Sequence, residues 1–463
     1  MYKYLISTVT VENKKIYKVL LEACKINLEY KFSKIQIRSL RYKKKISYKL
    51  IIFFINSLLS LKIFNLQKYV KLNYRGFNVG IYSASFTFKD HKVFFNIYKK
   101  YFFLIKNLLI ACNQIDKSLE MVKNSAGLYV DHVGYLSGIH IQIFASQKKI
   151  VYCHGYPRGM CYVDYSIAKN QKLSAYDILK INSRNNLKIL SRSKINDKYH
   201  KIINFPKKNL KWMKYTKYSK GSKNKIINQN LKSFDYLIYA HSYIDGQLFY
   251  GYDGFVNLFD WLEFTIKFLK KRNKKILIKS HPNFDNKLFG KDAELDKKIF
   301  TKHKKKYEDK NTIFINIPLE NKKILEKISK KTILISHHGT AILEGTSIGF
   351  KTICSKFTLW SQDFKISNQW HNINSYEKLL EKNHKDLISY KNSKDFYQLS
   401  NKLFFNPYAL GGKKNWISII EKYTKKVDWK KVLNQPDTIL NQIKNNRQFN
   451  KIVKSISRNI EKI

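Results

Sequence analysis

Short apolar runs alternate with helix-like stretches along the second half of the chain. Apolar residues recur every three or four positions at 254–272 and 318–330, which predicts helices. Five short runs predict strands: YLIYA (236–240), KILIK (275–279), NTIFINI (311–317), KTILIS (331–336) and KTICS (351–355). Strands that alternate with helices in this way form a parallel sheet with crossover helices.

A weaker form of the same pattern precedes residue 160. The predicted elements are strands at 77–86, 127–132 and 150–156 and helices at 93–122 and 135–149. A polar stretch rich in Lys, Asn and Ser follows, and it is interpreted as a link from about residue 165. The sequence therefore predicts an α/β protein of two Rossmann-like doubly wound domains facing a cleft, 1–230 and 231–463, with helical N-terminal and C-terminal extensions.

The most apolar run, LIIFFINSLLSL at 50–61, has twelve residues, fewer than the roughly 20 that a membrane-spanning helix needs. It is interpreted as a buried helix, and an interfacial helix is the alternative. The N-terminal residues MYKYLISTVTVENKK lack the apolar core of a signal peptide. The five cysteines are scattered, as in proteins of a reducing compartment. We expect a cytoplasmic protein, in peripheral contact with the inner face of the cytoplasmic membrane.

Charge narrows the choice of partners. The chain has 88 Lys and Arg against 33 Asp and Glu, so its formal net charge is 88 − 33 = +55. Such an excess is typical of nucleic-acid binding. However, only nine of the 88 are arginine, and the lysines are spread along a chain that is also rich in Asn and Ile. We interpret the excess as a solvated basic surface suited to anionic lipid, and nucleic acid is not the expected partner. Arg158, one of the few arginines, is a candidate anion-binding side chain.

Histidines follow three of the predicted strands in the second domain. In open parallel sheets, ligands bind outside the carboxyl ends of the strands, so residues in these positions are candidates for function. His241 follows the first strand, and Lys279, Ser280 and His281 end the second, where Pro282 fixes the backbone. The lysine and the serine offer a cation and a hydroxyl for a phosphate. A strand-terminating turn with a hydrogen-bonded histidine is the alternative interpretation.

The fourth strand is followed by HHGTAILEG, which places polar groups at the start of a predicted helix. Gly339 permits a tight turn, and Thr340 can cap the helix, whose free N–H groups suit a phosphate. Glu344 lies one turn further along the same helix face and can accept hydrogen bonds from a ribose diol. His337 and His338 flank this position. The alternative is a capped core helix with a solvent-facing glutamate, which leaves the paired histidines unexplained.

The motifs KSHP and SHHGTAILEGTSIGFKTICS, two strands apart, resemble the nucleotide-sugar half of GT-B glycosyltransferases. More narrowly, they are similar to the bacterial capsule and surface-polysaccharide group, which includes Kdo transferases, HP-motif sialyltransferases and CDP-glycerol polymerases. The preceding stretch HSYIDGQLFYGYDGFVNLFDWLEFTIKFL resembles a surface-glycan subgroup. The resemblance covers 231–355 well and 127–156 weakly. The paired histidines before Gly339 depart from the Ser, Thr or Asn that relatives often have.

The resemblance implies a nucleotide-sugar donor bound by domain 231–463 and an acceptor bound by domain 1–230. It also implies that His281 contacts the donor phosphates or acts as an acid, and that Glu344 binds the ribose. The catalytic base is expected from the first domain as Asp131, with Asp245 as the second candidate. The implied donor-binding residues are Lys279, Ser280, His281, Ser336, His337, His338, Gly339, Thr340 and Glu344, and the candidate substrate-anion contacts are Arg158 and His241. No metal is expected, because YGYDGF contains only Asp253 and not a DxD pair. No cofactor is expected either.

Three functions are consistent with these residues. The first, which we favour, is a metal-independent glycosyltransferase that uses a CMP- or CDP-activated donor. It would move a sugar, or a glycerol-phosphate-like unit, to a surface polysaccharide or lipid-linked glycan. The second is a nucleotide-sugar 2-epimerase, a class that shares the two-domain fold but needs no acceptor. The third is a non-enzymatic basic protein that binds a membrane or nucleic acid.

Overall fold

The computed structural model describes residues 3–7, 36–39, 48–125, 127–130, 137–147, 150–153, 231–244, 247–281, 284, 290–316, 321–339, 341–358, 361 and 364–396. In chain order the strands are β1 (Lys3–Ser7), β2 (Gln36–Ser39), β3 (Asn73–Tyr74), β4 (Phe77–Asn78), β5 (Gly127–Val130), β6 (Ile150–Cys153), β7 (Tyr236–Tyr239), β8 (Ile276–Lys279), β9 (Thr312–Ile315), β10 (Ile333–Ser336), β11 (Thr352–Ser355) and β12 (Asn368–Trp370). The helices are α1 (Tyr48–Leu59), α2 (Leu66–Tyr69), α3 (Gly80–Thr87), α4 (Ile97–Val122), α5 (Ser137–Ser146), α6 (Leu258–Lys270), α7 (Gly290–Tyr307), α8 (Asn321–Lys327), α9 (Ala341–Ser347) and α10 (Ile373–Glu381).

The chain divides into two compact units. The first comprises Met1–Ile46, Asn113–Leu173 and Phe404–Ile463, and the second comprises Ser47–Cys112 and Ser174–Leu403. The helices of residues 48–112 thus belong to the same unit as strands β7 to β12. A domain boundary at residue 230 stays a prediction, since 154–230 lie outside the described residues.

The first unit contains a parallel sheet in the order β2-β1-β5-β6. α5 joins β5 to β6 and packs on both, as expected of a crossover helix. The strands predicted at 127–132 and 150–156 are confirmed. The apolar pattern does not predict β1 and β2, because KYLIS and QIRS are short runs that polar residues interrupt.

The second unit contains a six-stranded parallel sheet in the order β12-β11-β10-β7-β8-β9. Numbered from β7, this is the order 3-2-1-4-5-6 of a Rossmann fold. The chain first builds β8 and β9 on one side of β7 and then returns to build β10 on the other side. The strand order therefore reverses between β7 and β10, where folds of this class bind ligands.

Alternate side chains of this sheet fill two separate cores. Tyr236 and Ile238 of β7 pack with α6, α7 and α10, whereas Leu237 and Tyr239 pack with α8. Because β7, β8, β10 and β11 are buried on both faces, they appear in the sequence as continuous apolar runs. The predicted α/β class with Rossmann-like sheets is confirmed. The sequence does not predict β12, which adds a sixth strand to the second sheet, or α10, which follows it.

The prediction of a single strand at 77–86 is wrong, because β4 ends at Asn78 and α3 begins at Gly80. The hydroxyl groups of Ser83 and Thr87 donate to carbonyl groups four residues earlier, at 2.6 and 2.8 Å, which satisfies them within the helix. α3 is buried on nearly all sides, so no alternation of polar and apolar residues marks it as a helix.

Candidate functional site

Three histidines from three strand ends meet where the strand order of the second sheet reverses. His241 follows β7, His281 follows β8 and His338 follows β10. The ring of His241 lies 3.9 Å from that of His338 and 4.7 Å from that of His281, measured between centroids. β7 lies between β8 and β10, so the residue after it contacts the residues after both neighbours. We call these three rings the imidazole cluster.

Two rings of the imidazole cluster, those of His281 and His338, are held in their neutral form. Burial lowers the pKa of His281 well below the usual range, and the charges of His241 and Lys279 lower it further. Burial also lowers the pKa of His338, together with the charges of the three other histidines, His241, His337 and His281. Each neutral ring offers one N–H donor and one lone pair. An anion bound against the cluster would raise these pKa values and bring a proton into the site.

A lysine and a glutamate are buried on the face of the sheet that α8 covers. Burial raises the pKa of Glu344 to about 7, against a hydrogen bond from Asn321 and the charge of Lys279. Burial lowers the pKa of Lys279 to about 8, against the charge of Glu344. Both groups therefore change charge close to neutral pH. Such values are typical of sites that transfer protons or respond to a charged ligand.

Side chains of this chain already hold Glu344 in place. The Asn321 amide donates to Oε2 of Glu344, and the Tyr239 hydroxyl donates to Oδ1 of Asn321 at 2.7 Å. α9 carries Glu344 close to the sheet because Gly345 has no side chain; a Cβ there would lie 2.2 Å from Cδ1 of Leu334. Glu344 is thus buried and not solvent-facing, and its expected contact with a ribose stays a prediction.

A second pair of buried groups lies on the opposite face. Nε2 of His337 is 2.9 Å from Oδ2 of Asp253, and the indole N–H of Trp370 donates to the same oxygen at 3.1 Å. Burial alone would raise the pKa of Asp253, but His337 and hydrogen bonds from Ser355 and the Phe255 N–H outweigh it and lower the pKa. The carboxylate is therefore ionised, and it orients the imidazole of His337.

His337 connects this carboxylate to the imidazole cluster. Its Nδ1 lies 3.0 Å from Nδ1 of His338, so one of the two nitrogens carries the shared proton. This contact links His338, through His337, to the carboxylate of Asp253.

The sequence did not predict roles for two buried aspartates. Asp253 lies in a loop where Gly251 and Gly254 have φ of +135° and +106°. The glycines on both sides of Asp253 are the sequence feature that could have indicated this special loop conformation. Asp296 of α7 accepts hydrogen bonds from the Ser242 hydroxyl at 2.5 Å and the Tyr243 N–H at 3.0 Å. It anchors the turn that carries His241. Nothing in the local sequence of α7 marks this contact, because it links residues more than fifty positions apart.

Ser336, Gly339 and Ser280 shape the strand ends. The Ser336 hydroxyl accepts from the Gly339 N–H at 3.2 Å and donates to the Tyr239 carbonyl at 3.4 Å, which joins the turn after β10 to β7. Ser280 is buried, and its N–H donates to the Ile315 carbonyl at 3.0 Å. Their predicted contacts with a phosphate stay predictions.

Four predicted site residues lie outside the described residues: Asp131, Arg158, Asp245 and Thr340. Their roles stay predictions. In the part of the chain that the structure describes, no group of three or more His, Cys, Asp or Glu side chains is arranged to hold a metal ion.

No protein-family model and no curated protein matches the chain. In structure it is similar to a UDP-GlcNAc 2-epimerase of Methanocaldococcus jannaschii, in complex with UDP-GlcNAc and UDP, at 12% identity and a TM-score of 0.28, covering 86% of this chain and 98% of that one. A UDP-GlcNAc 2-epimerase of Neisseria meningitidis bound to UDP-GlcNAc gives 12% identity and a TM-score of 0.22, covering 91% of this chain and all of that one. These TM-scores are too low to carry an argument. The class that the strand order defines is a Rossmann-like α/β protein.

Proposed function

We propose that this protein is a nucleotide-sugar-dependent glycosyltransferase. It transfers a sugar, or a glycerol-phosphate-like unit, from a CMP- or CDP-activated donor to a surface polysaccharide or lipid-linked glycan. The observation that carries the proposal is the convergence of His241, His281 and His338 at the point where the strand order reverses. That position is where Rossmann-like sheets bind nucleotides. The resemblance of KSHP and SHHGTAILEG to GT-B glycosyltransferases supports the transfer of a sugar, or of a glycerol-phosphate-like unit, rather than of a hydride.

In this proposal the donor phosphates lie against the imidazole cluster. Their negative charge raises the pKa of His281 and His338, so that a ring takes up a proton as the donor binds. When the bond between the sugar and the phosphate oxygen breaks, the protonated imidazole donates to that oxygen and stabilises the leaving nucleotide. Lys279, whose charge acts on His281, adds positive charge to the same region.

The new bond forms between the acceptor and the sugar. The acceptor hydroxyl oxygen attacks the sugar carbon as the phosphate leaves, and a carboxylate takes the hydroxyl proton. Asp131 and Asp245 are the proposed candidates for this base. Asp253 has another task, since it lies 2.9 Å from Nε2 of His337, whose Nδ1 contacts Nδ1 of His338. We assign Asp253 and His337 as positioning residues.

A nucleotide-sugar 2-epimerase is the second candidate. It is favoured by the buried Glu344, whose pKa of about 7 suits reversible proton transfer on a bound sugar without an acceptor. The similar structures named above are of 2-epimerases, although the likeness is too low to decide between the two. The two functions differ in a measurable way, because only the epimerase exchanges the hydrogen on C2 of the sugar with solvent.

Thermal unfolding of the full chain with CMP, CDP, UDP, GDP or dTDP tests the site. A nucleotide present at about one hundred times its Kd stabilises the folded state by about 2.7 kcal/mol. We expect one nucleotide to stabilise the wild type and His371→Ala, which removes an exposed histidine, but not His281→Ala. If no nucleotide stabilises the folded wild-type protein, the proposed function is wrong.

Incubation with the matching nucleotide-sugar in deuterium oxide then separates the two candidates. A glycosyltransferase without acceptor releases nucleotide slowly and leaves the C2 hydrogen of the donor unlabelled. Deuterium at C2, with inversion at that carbon, would favour the epimerase instead.

A further inference from the structure

α1 has an apolar face that is exposed. The helix YKLIIFFINSLL contains a single charged residue, and Leu50 and Ser57 lie on its buried face. On the other face Tyr48, Ile51, Ile52, Ile55 and Leu59 are between 48% and 77% exposed. We call these five side chains the α1 stripe. Their spacing of three and four residues places them along one side of the helix. The interpretation of residues 50–61 as a buried helix is therefore wrong for this face.

The exposure of the α1 stripe is costly without a partner. Burial of an isoleucine or leucine side chain against a partner is favourable, because it removes apolar surface from water. Single exposed apolar residues are common on protein surfaces, but a continuous row of five marks an interaction surface. Apolar exposure continues beyond the helix at Leu61 and Phe64, which are 64% and 46% exposed.

The charge of residues 48–112, the segment that carries the stripe, indicates the chemistry of the partner. Residues 48–112 contain ten basic side chains and one acidic side chain, Asp90, so their net charge is 10 − 1 = +9. The basic residues are Lys49, Lys62, Lys68, Lys71, Arg75, Lys89, Lys92, Lys99, Lys100 and Lys106. This ratio of ten to one is far above the 88 to 33 of the whole chain. The partner must therefore combine negative charge with an apolar interior.

We infer that the α1 stripe docks the protein on an anionic phospholipid membrane, with basic side chains of residues 48–112 against the lipid head groups. Helices that lie in a membrane interface combine a row of Ile, Leu and aromatic residues with flanking lysines. Tyr98 and Phe102, 83% and 63% exposed at the start of α4, add aromatic side chains of the kind found at membrane interfaces. Nucleic acid would match the charge but not the aliphatic stripe, because phosphates and bases offer no apolar phase for isoleucine.

The length of this helix allows it to lie on a membrane surface but not to span a bilayer. α1 has twelve residues, and among the described helices none is long and apolar enough to cross a bilayer. The inference goes beyond the proposed activity and does not depend on it, since docking requires no nucleotide. A docked protein would meet a lipid-linked acceptor at the membrane surface.

Flotation of the full chain with vesicles tests the inference. One set of vesicles is phosphatidylcholine alone, and the other is equal parts phosphatidylcholine and phosphatidylglycerol. The test variant is Ile51→Gln with Ile55→Gln, which keeps good helix formers at exposed positions. The matched control is Ile388→Gln, which removes an isoleucine that is 54% exposed elsewhere in the chain. We expect the wild type and the control to float with the anionic vesicles only. The double variant should lose about tenfold or more in partition coefficient.

Three results would overturn the inference. The first is a wild type that floats with neither set of vesicles. The second is a double variant that floats as well as the wild type, which would assign binding to the lysines alone. The third is a wild-type dimer in light scattering that the double variant converts to a monomer, which would make the α1 stripe a contact between two copies. Because no nucleotide is present, none of these results bears on the proposed activity.

Discussion

The two faces of the second sheet carry buried charges at the same strand ends, but they balance those charges differently. On one face, His337 and hydrogen bonds outweigh burial and lower the pKa of Asp253. On the other face, burial outweighs Lys279 and Asn321 and raises the pKa of Glu344 to about 7. Asp253 thus keeps its charge across the neutral pH range, whereas Glu344 changes charge within it. The difference indicates that the face with Asp253 fixes the geometry of the site, and that the face with Glu344 responds to a ligand.

The largest expected effect on the free energy of unfolding comes from breaking the contact between Asp253 and His337. Asp253→Ala leaves His337 and the Trp370 indole without their buried acceptor, and removal of one partner of a buried pair costs about 3–5 kcal/mol. Urea unfolding should show this loss in the free energy of unfolding. Asp386→Ala, at an exposed position in the same unit, is the control and should cost under about 0.5 kcal/mol. Equal, small losses for both variants would show that Asp253 does not hold the first face together.

The next effect should appear on the other face as a dependence on pH. The pKa of Glu344 is raised from 4.5 to about 7, so the folded state binds more protons than the unfolded state between these values. The free energy of unfolding contributed by this group therefore falls as pH rises through that window. Glu344→Gln removes the contribution. The variant should gain about 3 kcal/mol relative to the wild type between about pH 5 and about pH 8.

Thermal or urea unfolding of both proteins across this range measures the difference directly. Buried neutral histidines contribute the opposite slope, since His281 and His338 bind fewer protons when folded. That contribution is common to both proteins and cancels in the comparison. Parallel stability curves for the two proteins would mean that Glu344 is ionised normally and that the two faces do not differ as described.

A smaller effect concerns ligand binding. If a nucleotide diphosphate raises the pKa of the imidazole cluster, binding takes up a proton. Affinity then rises as pH falls from about pH 8 toward about pH 6, by up to about tenfold per pH unit for each proton. Calorimetry in two buffers with different ionisation enthalpies measures the number of protons. His338→Gln should reduce that number, and an unchanged proton count would exclude His338 as the group that takes up the proton.

The smallest effect should come from removing the hydrogen bond that Asn321 donates to Glu344. Asn321→Ala removes the amide that donates to the carboxylate and should raise the pKa of Glu344 above about 7, because this hydrogen bond lowers it. The expected cost in the free energy of unfolding is about 1 kcal/mol. Infrared titration of the carboxylate band, compared between wild type and variant, reports the pKa. A pKa that falls instead of rising would contradict the hydrogen-bonding pattern on this face.

The sequence predicts the second sheet well because its strands are local, continuous apolar runs. β7 to β11 lie within a few residues of their predicted bounds, and the histidines that follow β7, β8 and β10 are prominent against a lysine-rich chain. Parallel sheets bring these strand ends together by topology, so the imidazole cluster could be expected before its geometry was known.

The remaining features depend on contacts between distant parts of the chain. Asp253 and Trp370 are 117 residues apart, and Asn321 reaches Glu344 across 23 residues. α3 was mistaken for a strand because its burial hides the helical period. The sequence does not show which face of α1 is exposed, since the pattern of a helix that is apolar all round does not indicate which side packs.

Nitrogen NMR of isotope-labelled histidine, recorded at about pH 7 with and without saturating nucleotide diphosphate, tests the site most directly, because it distinguishes neutral from protonated rings. Substitution of His241, His281 and His338 by Gln assigns the signals. We expect the rings of His281 and His338 to be neutral in the free protein and at least one of them to become protonated in the complex. A saturated complex in which every ring of the imidazole cluster stays unchanged would contradict phosphate binding at this strand reversal.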